Sequence, residues 1–156
     1  MQLDLFVVIE QEKLSQLAKN PKPSSEAARN RMRAVKRRDT EAEMKVRRLL
    51  FAMGLRYRVD YEVIEEPRRR ADIVFKKAKV AVFIDGCFWH ACPLHGSSSK
   101  ANAKFWKDKI ETNVERDKDT TRRLKEKGWL VIRAWEHEDP QKVTNKIASQ
   151  VGKRTK

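Results

Sequence analysis

The spacing of apolar and polar residues in the first half of the chain predicts one helix followed by three strands. Residues 40–43 form a capping box, apolar side chains recur at helical spacing after it, and Gly54 supplies a stop, so we expect a helix over 40–53. Alternation predicts a strand over 55–63. Two apolar runs around a lysine-rich turn predict a hairpin of buried strands within 71–86.

The second half of the chain continues with a helix, a strand and a helix. Apolar positions trace a stripe along a long charged segment that starts near Phe105 and ends at Gly128, and residues 129–135 have the pattern of a strand. Asp139-Pro140 places an N-cap before a proline at the first position of a closing helix. This order of elements predicts an α/β or α+β fold in which helices flank the sheet, and we favour α/β.

The length of 156 residues suits one domain with its own core. Because residues 20–25 are rich in turn formers, we interpret residues 1–28 as an N-terminal arm and linker of unknown role. Residues 29–156 are predicted to form the functional domain.

The chain is strongly basic, with 36 Lys and Arg against 22 Asp and Glu and a formal net charge of +14. Such a field attracts polyanions, and binding to nucleic acid releases counterions. Six cations between Arg29 and Arg38 fit an arm that contacts the DNA backbone, although a solvated face has the same composition. Charge favours nucleic acid as the partner and does not predict catalysis.

The apolar run Leu5–Ile9 is far too short to span a bilayer, and Asp4 precedes it where a secretory signal would carry positive charge. We therefore expect a cytoplasmic protein that associates with the nucleoid and has no membrane partner.

Two carboxylates are predicted to meet at the open end of the hairpin. If the hairpin turns near Lys77-Ala78, antiparallel pairing sets Asp72 roughly opposite Ile84 and Asp85, with main-chain atoms about 5 Å apart. Mg²⁺ favours such oxygen ligands. A one-residue slip would turn Asp85 to the other face, and Asp72 could instead pair with one of the arginines at 68–70.

Glu43 and His90 are candidate catalytic residues with simpler alternative explanations. The capping box accounts for Glu43 without any chemistry. His90 could activate a water, bind a metal, or be a packed polar residue.

Cysteine and histidine residues predict a zinc site. Cys87, Cys92 and His95 have the spacing C-x4-C-x2-H, and His137 supplies a fourth ligand from another strand. Four of the five cysteines and histidines of the chain are used in this set, which favours a closed, structural Zn²⁺ site. The alternatives are a free thiol pair, or His90 in place of His95.

The chain resembles the very-short-patch repair endonucleases, which nick DNA beside a T:G mismatch. The resemblance covers about residues 29 to 138 and is carried by Arg31-Met32-Arg33-Ala34, Arg38-Asp39-Thr40, Glu43, Ala71-Asp72-Ile73-Val74, Gly86-Cys87-Phe88-Trp89-His90, Phe105-Trp106, Lys109-Ile110, Asn113-Val114-Glu115-Arg116-Asp117, Gly128-Trp129 and Trp135-Glu136.

The resemblance implies a restriction-endonuclease-like fold with a mixed sheet, and a Mg²⁺-dependent enzyme that nicks one strand and leaves a 5′-phosphate. It implies that Asp72 and the backbone carbonyl of Ile84 bind Mg²⁺, that Glu43 holds a water of the metal, and that His90 orients or deprotonates the nucleophile. Duplex DNA with a mismatch is the expected substrate of a monomeric enzyme that works with repair proteins.

The resemblance also implies how DNA is contacted. Phe88, Trp89 and Trp106 correspond to aromatic residues that enter the duplex from the major groove, and Met32 to a side chain that enters from the minor groove, unless these residues pack in the core. Further predicted DNA contacts are Arg33, Lys109, Asn113 and Arg116.

Two departures from the family pattern affect specificity. Asp85 stands where members carry a histidine near the metal, so this acid is a further candidate metal ligand, and His137 replaces the final cysteine. A defence or restriction nuclease is therefore an alternative function. A basic, non-enzymatic zinc module that binds DNA is another.

Overall fold

The computed structural model describes residues 20–156, so most of the predicted N-terminal arm lies outside the described residues. The elements follow in the order α1 (Glu26–Ala34), α2 (Glu41–Ala52), β1 (Arg58–Ile64), β2 (Arg69–Phe75), β3 (Val80–Asp85), α3 (Ala103–Glu126), β4 (Leu130–Trp135) and α4 (Pro140–Arg154). The predicted order from α2 onward is confirmed, and α1 is an additional helix.

The four strands form one mixed sheet in the order β1-β2-β3-β4. Strand β2 pairs antiparallel with both β1 and β3. Strand β4 runs parallel to β3 after the crossover through α3. The prediction of a mixed sheet with helices around it is confirmed. Among residues 20–156, no helix is long and apolar enough to cross a membrane.

Side chains of β3 alternate between two buried clusters, one on each face of the sheet. Val80 and Val82 belong to the cluster that α2 and α4 cover, whereas Ala81 and Phe83 belong to the cluster that α3 covers. Because this alternation continues, Ile84 packs on the α2 and α4 side. Asp85 points to the α3 side.

The basic segment predicted as an arm or solvated face begins on α1, which carries Arg29, Arg31 and Arg33, and its other three cations, at residues 36–38, follow the helix. Ser25 caps this helix, since its side chain accepts a hydrogen bond of 3.1 Å from the Ala28 N–H. The helix contains no buried residue, and Met32 is 42% exposed. Its cations therefore remain accessible to a ligand.

The predicted register of the hairpin is wrong by one to two residues. The ladder sets Phe75 opposite Val80 and Ile73 opposite Val82. If this pairing is extended by one residue, Asp72 lies opposite Phe83. Four residues connect the strands, and Lys79 closes the turn with a φ of 50°. Asp72 still lies beside Ile84, because its carboxylate accepts a hydrogen bond from that residue's N–H.

Leu124 anchors α3 to the sheet, because it is completely buried in the cluster on that face. Leu124→Ala should lower the free energy of unfolding by about 2–5 kcal/mol through lost burial and a residual cavity. Denaturant unfolding measures this loss. Leu94→Ala is the matched control, since Leu94 is 76% exposed and should change stability by less than about 0.5 kcal/mol. Equal effects of the two substitutions would contradict this assignment.

Candidate active site

Asp72 is a largely buried carboxylate at the end of the hairpin. Its Oδ2 accepts a 2.7 Å hydrogen bond from the main-chain N–H of Ile84. Burial raises the pKa of Asp72 to about 7; the Ile84 hydrogen bond and Arg47 lower it, and the negative charges of Glu43 and Asp85 raise it further. Arg47 therefore does not compensate for burial and for the two neighbouring carboxylates at Asp72.

The surroundings of Asp72 fit a divalent cation. In an extended strand the N–H and C=O of one residue face the same neighbouring strand, so the Ile84 carbonyl also faces the side of β2. A carboxylate and a main-chain carbonyl are the oxygen ligands that Mg²⁺ accepts, with waters completing its shell. Arg68 and Arg70 bind Glu62 and Asp60 on β1, so these two do not supply the counter-charge at Asp72.

Glu43 is 3% exposed and completes the capping box of α2. Its carboxylate accepts hydrogen bonds of 2.9 Å from the Asp39 N–H and 3.1 Å from the Thr40 hydroxyl. The Arg47 guanidinium donates a further bond of 3.0 Å. The capping explanation for Glu43 is thus confirmed, and its role in holding a water stays a prediction.

His90 forms a dyad with Asp117 of α3. The distance from His90 Nδ1 to Asp117 Oδ2 is 2.5 Å, and Asp85 Oδ1 lies 3.7 Å from the same nitrogen. Burial opposes the charge of the ring, but Asp117 and Asp85 outweigh it and raise the pKa of His90 above its ordinary value. Since Nδ1 faces Asp117, Nε2 is the nitrogen that can take a proton from a nucleophile.

Asp117 was not among the predicted catalytic residues. The signal for it was present, because it ends the Asn-Val-Glu-Arg-Asp motif that carries the family resemblance. Asp85, His90 and Asp117 together could hold a metal ion, since their ligand atoms lie within 4.8 Å of one another.

Asp85 lies in an ion pair on the α3 side of the sheet. Both of its oxygens accept hydrogen bonds from Arg133 Nη1, at 2.8 and 2.9 Å. The prediction that Asp85 binds a metal stays a prediction. His90 and these residues line a cleft of about 570 Å³, and Lys118 and Lys125 of α3 are also part of its wall.

The four predicted zinc ligands converge, although they come from two distant parts of the chain. The ligand atoms of Cys87, Cys92, His95 and His137 all lie within 4.8 Å of one another. Three of the sulfur to nitrogen distances are 3.1, 3.8 and 3.9 Å. These values are close to the separation of about 3.6 Å expected between a sulfur and a nitrogen ligand of a tetrahedral zinc ion. Two sulfurs and two imidazoles are a donor set that zinc prefers, so these residues fit this metal.

In the metal-free protein the Cys87 thiol is protonated. Burial raises the pKa of Cys87 to about 11, and the neighbouring Cys92 and Glu136 raise it in the same direction. The thiolates that bind metals would therefore need a cation between them.

Gly96 closes the loop tightly around this cluster. Its N–H donates to the Cys92 carbonyl at 2.8 Å, and an added Cβ would lie only 2.5 Å from that oxygen. The loop is also tied to β4, because the Cys87 N–H donates to Glu136 Oε1 at 2.8 Å. No larger residue fits at position 96 without moving the ligand loop.

An aromatic cluster lies next to the Cys/His cluster. Phe88, Trp89 and Trp106 contact one another edge to face, with ring centroids 5.1 to 5.7 Å apart. The rings are only half-buried and belong to neither core cluster. Lys109 Nζ lies 5.9 Å from the ring centroids of Trp89 and Trp106, and the Asn113 side chain donates to the Trp89 carbonyl at 3.0 Å.

The remaining predicted DNA contacts differ in exposure. Arg33 is exposed on α1, whereas Arg116 is half-buried on α3. The structure thus places Lys109 and Asn113 against the aromatic cluster, and Met32 and Arg33 on a separate helix.

Comparisons with known proteins point to DNA nicking enzymes. A family model described as DNA mismatch endonuclease Vsr matches residues 24–95. The type II nicking enzyme V.NaeI of Lentzea aerocolonigenes is 43% identical over 123 residues, which cover 78% of this chain and 74% of that enzyme. The DNA mismatch endonuclease Vsr of Escherichia coli (strain K12) is 38% identical over 107 residues, 67% of this chain and 66% of that enzyme.

A further relative is the type II nicking enzyme V.HpaIIP of Haemophilus parainfluenzae. It is 35% identical over 125 residues, which cover 76% of this chain and 86% of that enzyme. The segment that matches the family model includes Glu43, Asp72, Asp85 and His90.

Metal analysis tests the Cys/His cluster. Protein purified without chelator should contain about one zinc per chain, and Cys92→Ser and His95→Ala should each lose most of it because three ligands bind weakly. Gly96→Ala should lower retention during dialysis, since its Cβ displaces the Cys92 carbonyl. His90→Ala is the control and should keep zinc. If His90→Ala loses zinc and His95→Ala keeps it, His90 rather than His95 is the zinc ligand.

Asp72→Asn should stabilise the metal-free protein at pH 8. Because the folded-state pKa of Asp72 is about 7 and the ordinary value is 3.8, ionisation costs the folded state stability as the pH rises between these values. The gain in free energy of unfolding has an upper bound of about 4 kcal/mol at pH 8 and vanishes near pH 3. Thermal melts at both pH values in EDTA measure it, and a variant that is less stable than wild type at pH 8 would contradict the raised pKa.

Proposed function

Because the chain belongs to the DNA mismatch endonuclease Vsr family, we propose that it nicks one strand of duplex DNA at a T:G mismatch, with Mg²⁺ as cofactor, and leaves a 5′-phosphate. As a member of this family it is a DNA strand-nicking endonuclease, which decides against a non-enzymatic zinc module. The family also implies the restriction-endonuclease-like fold.

One observation carries the proposal: Asp72 and the His90–Asp117 dyad lie at the same end of the sheet. Asp85 connects them, because its charge acts on Asp72 and its carboxylate lies 3.7 Å from His90. Asp72 and the Ile84 carbonyl are the proposed Mg²⁺ ligands. Mg²⁺ bound there would stabilise the negative charge that develops on the phosphate and on the leaving 3′ oxygen.

His90 is proposed to act as the general base. Its Nε2 takes a proton from a water while the water oxygen forms a bond to phosphorus and the bond from phosphorus to the 3′ oxygen breaks. Asp117 holds the ring by Nδ1 and stabilises the imidazolium that results. The 3′ oxygen takes a proton from solvent, and the products are a 3′-hydroxyl and a 5′-phosphate.

Glu43 is proposed to orient a water from its place at the N-terminus of α2. The bonds from Thr40 and Arg47 keep its carboxylate in one position. A preorganised acceptor of this kind costs no further ordering when substrate binds.

The aromatic cluster is proposed to recognise the mismatch. Inserting rings between base pairs costs a few kcal/mol of stacking per step, and this cost is lowest where pairing is already weak. Phe88, Trp89 and Trp106 are exposed enough to stack on bases, and Lys109 brings a cation for the adjacent phosphates. Met32 on α1 is the candidate for insertion from the opposite groove.

Zn²⁺ is proposed as a structural cofactor held by Cys87, Cys92, His95 and His137. Four protein ligands leave no position for water, so its role is to fix the loop between Cys87 and Cys92. That loop carries Phe88, Trp89 and His90.

A second candidate function is a nuclease that accompanies a restriction or defence system. Two of the relatives described above are named type II nicking enzymes, which favours this context. Asp85, in place of the family's histidine, is a change near the site that fits a different preference for DNA. The two functions share the cut and differ in the lesion or sequence that directs it.

Nicking of labelled duplexes with and without one T:G pair tests the proposal. We expect cleavage of one strand in Mg²⁺ and none in EDTA, a preference for the T:G duplex, and a product end that a 5′-phosphate-dependent ligase can seal. Asp72→Ala should lower the nicking rate at least a hundredfold, roughly 3 kcal/mol of transition-state stabilisation, and leave DNA binding in place.

Glu65→Ala is the control, because it removes a carboxylate from the exposed turn between β1 and β2. Equal Mg²⁺-dependent nicking by wild type and Asp72→Ala would contradict the assignment of Asp72 as a Mg²⁺ ligand. Equal nicking of duplexes with and without the T:G pair would favour the second candidate function, a nuclease that accompanies a restriction or defence system.

A further inference from the structure

We propose that Arg133 is a positioning residue of the active site, and that Asp85 serves as its anchor rather than as a metal ligand. Arg133 lies on β4 and belongs to none of the motifs that predicted the site. This inference rests on the proposed nicking function, since it assigns how the catalytic histidine is held.

The Arg133 guanidinium uses all three of its nitrogens. Nη1 donates to both oxygens of Asp85 at 2.8 and 2.9 Å, and Nε donates to the Thr121 hydroxyl at 3.2 Å. Nη2 lies 3.4 Å from the main-chain oxygen of Asp117 and 3.5 Å from its carboxylate. One side chain therefore ties the end of β3 to the middle of α3.

The packing of Arg133 fixes the plane of the guanidinium. Its central carbon lies 4.4 Å from the centroid of the Phe83 ring. Phe83 is itself buried in the cluster on the α3 side. A cation seated on a buried ring and bound at every nitrogen has little freedom to turn.

The two carboxylates that Arg133 contacts are the same two that contact His90. Asp117 lies 2.5 Å from Nδ1 of the ring, and Asp85 lies 3.7 Å from it. Without a cation between them, two acids gathered around one imidazole would repel each other. Arg133 thus sets the position of Asp117, and through Asp117 the direction in which Nε2 points.

The same geometry argues against Asp85 as a metal ligand. Both of its oxygens are occupied by Nη1, so a divalent cation there would either displace the guanidinium or lie a few ångströms from it. Among the described residues, Asp72 has no such partner and accepts instead from the N–H of Ile84. The metal and the anchor are therefore different carboxylates.

A double-mutant cycle between Asp85 and Arg133 tests the inference. The proteins are wild type, Arg133→Met, Asp85→Asn and the double variant, each assayed for single-turnover nicking, for DNA affinity, and for the Mg²⁺ concentration that gives half of the maximal rate. Arg133→Met should lower the rate at least tenfold with little change in DNA affinity, because it leaves two uncompensated acids at His90.

The double variant should recover only part of that loss, since it removes the unpaired charge of Asp85 but does not restore the contacts to Asp117. The half-maximal Mg²⁺ concentration should stay the same in all four proteins. If Asp85→Asn is inactive with or without Arg133 and regains its rate at high Mg²⁺, Asp85 is a metal ligand and the inference is overturned. Additive losses would overturn it as well.

Two further variants keep the test decisive. Arg122 lines the same cleft but pairs with Asp119 and Glu126 instead of Asp85 and Asp117. The Arg122→Met variant should therefore nick at nearly the wild-type rate. If Arg133→Met fails to fold, Arg133→Lys replaces it and should be slower than wild type, because a lysine keeps the charge at Asp85 but loses the contacts to Asp117 and Thr121. A wild-type rate for Arg133→Lys would refute the positioning role, whereas an inactive wild type would refute the proposed function.

Discussion

The parallel pairing of β3 with β4 is the interaction on which both parts of the site depend. The strands pair in register from Val80 and Leu130 to Asp85 and Trp135, and the Glu136 N–H extends the pairing by donating to the Asp85 carbonyl at 2.9 Å. Because both strands end at the same edge, the residues that follow them meet there. Cys87 reaches His137 in this way, and Asp85 reaches Arg133, although about fifty residues separate each pair in sequence.

The alternation of side chains along β3 then divides the chemistry between the two faces of the sheet. The Ile84 side chain belongs to the face that α2 covers, and its N–H donates to Asp72, on which the charges of Glu43 and Arg47 act. Asp85 belongs to the face that α3 covers, with His90 and Asp117. A strand only six residues long thus contributes to both halves of the proposed site, the half that would bind a metal and the half that would transfer a proton.

Sequence reasoning succeeded where the signal is local and failed where the contact is distant. The capping box of α2, the proline that opens α4 and the turn of the hairpin are decided within a few residues, and the rarity of cysteine and histidine identified the Cys/His cluster. A turn centred on Lys77-Ala78 sets Asp72 opposite Phe83, so the turn was predicted correctly but the partner assigned to Asp72 was one to two residues too far along β3. Arg133 has no pattern of its own, because its meaning comes from three partners on other elements.

Helix α3 sets a fixed spacing between the aromatic cluster proposed to contact DNA and the proposed catalytic dyad. Trp106 and Asp117 are eleven residues apart on this helix, which is about three turns, so they lie on nearly the same face and roughly 16 Å apart along the axis. No loop intervenes between Trp106 of the aromatic cluster and Asp117, the acid that contacts His90. Under the proposed function, this helix would set the distance between the cut and the recognised base step by its length and pitch.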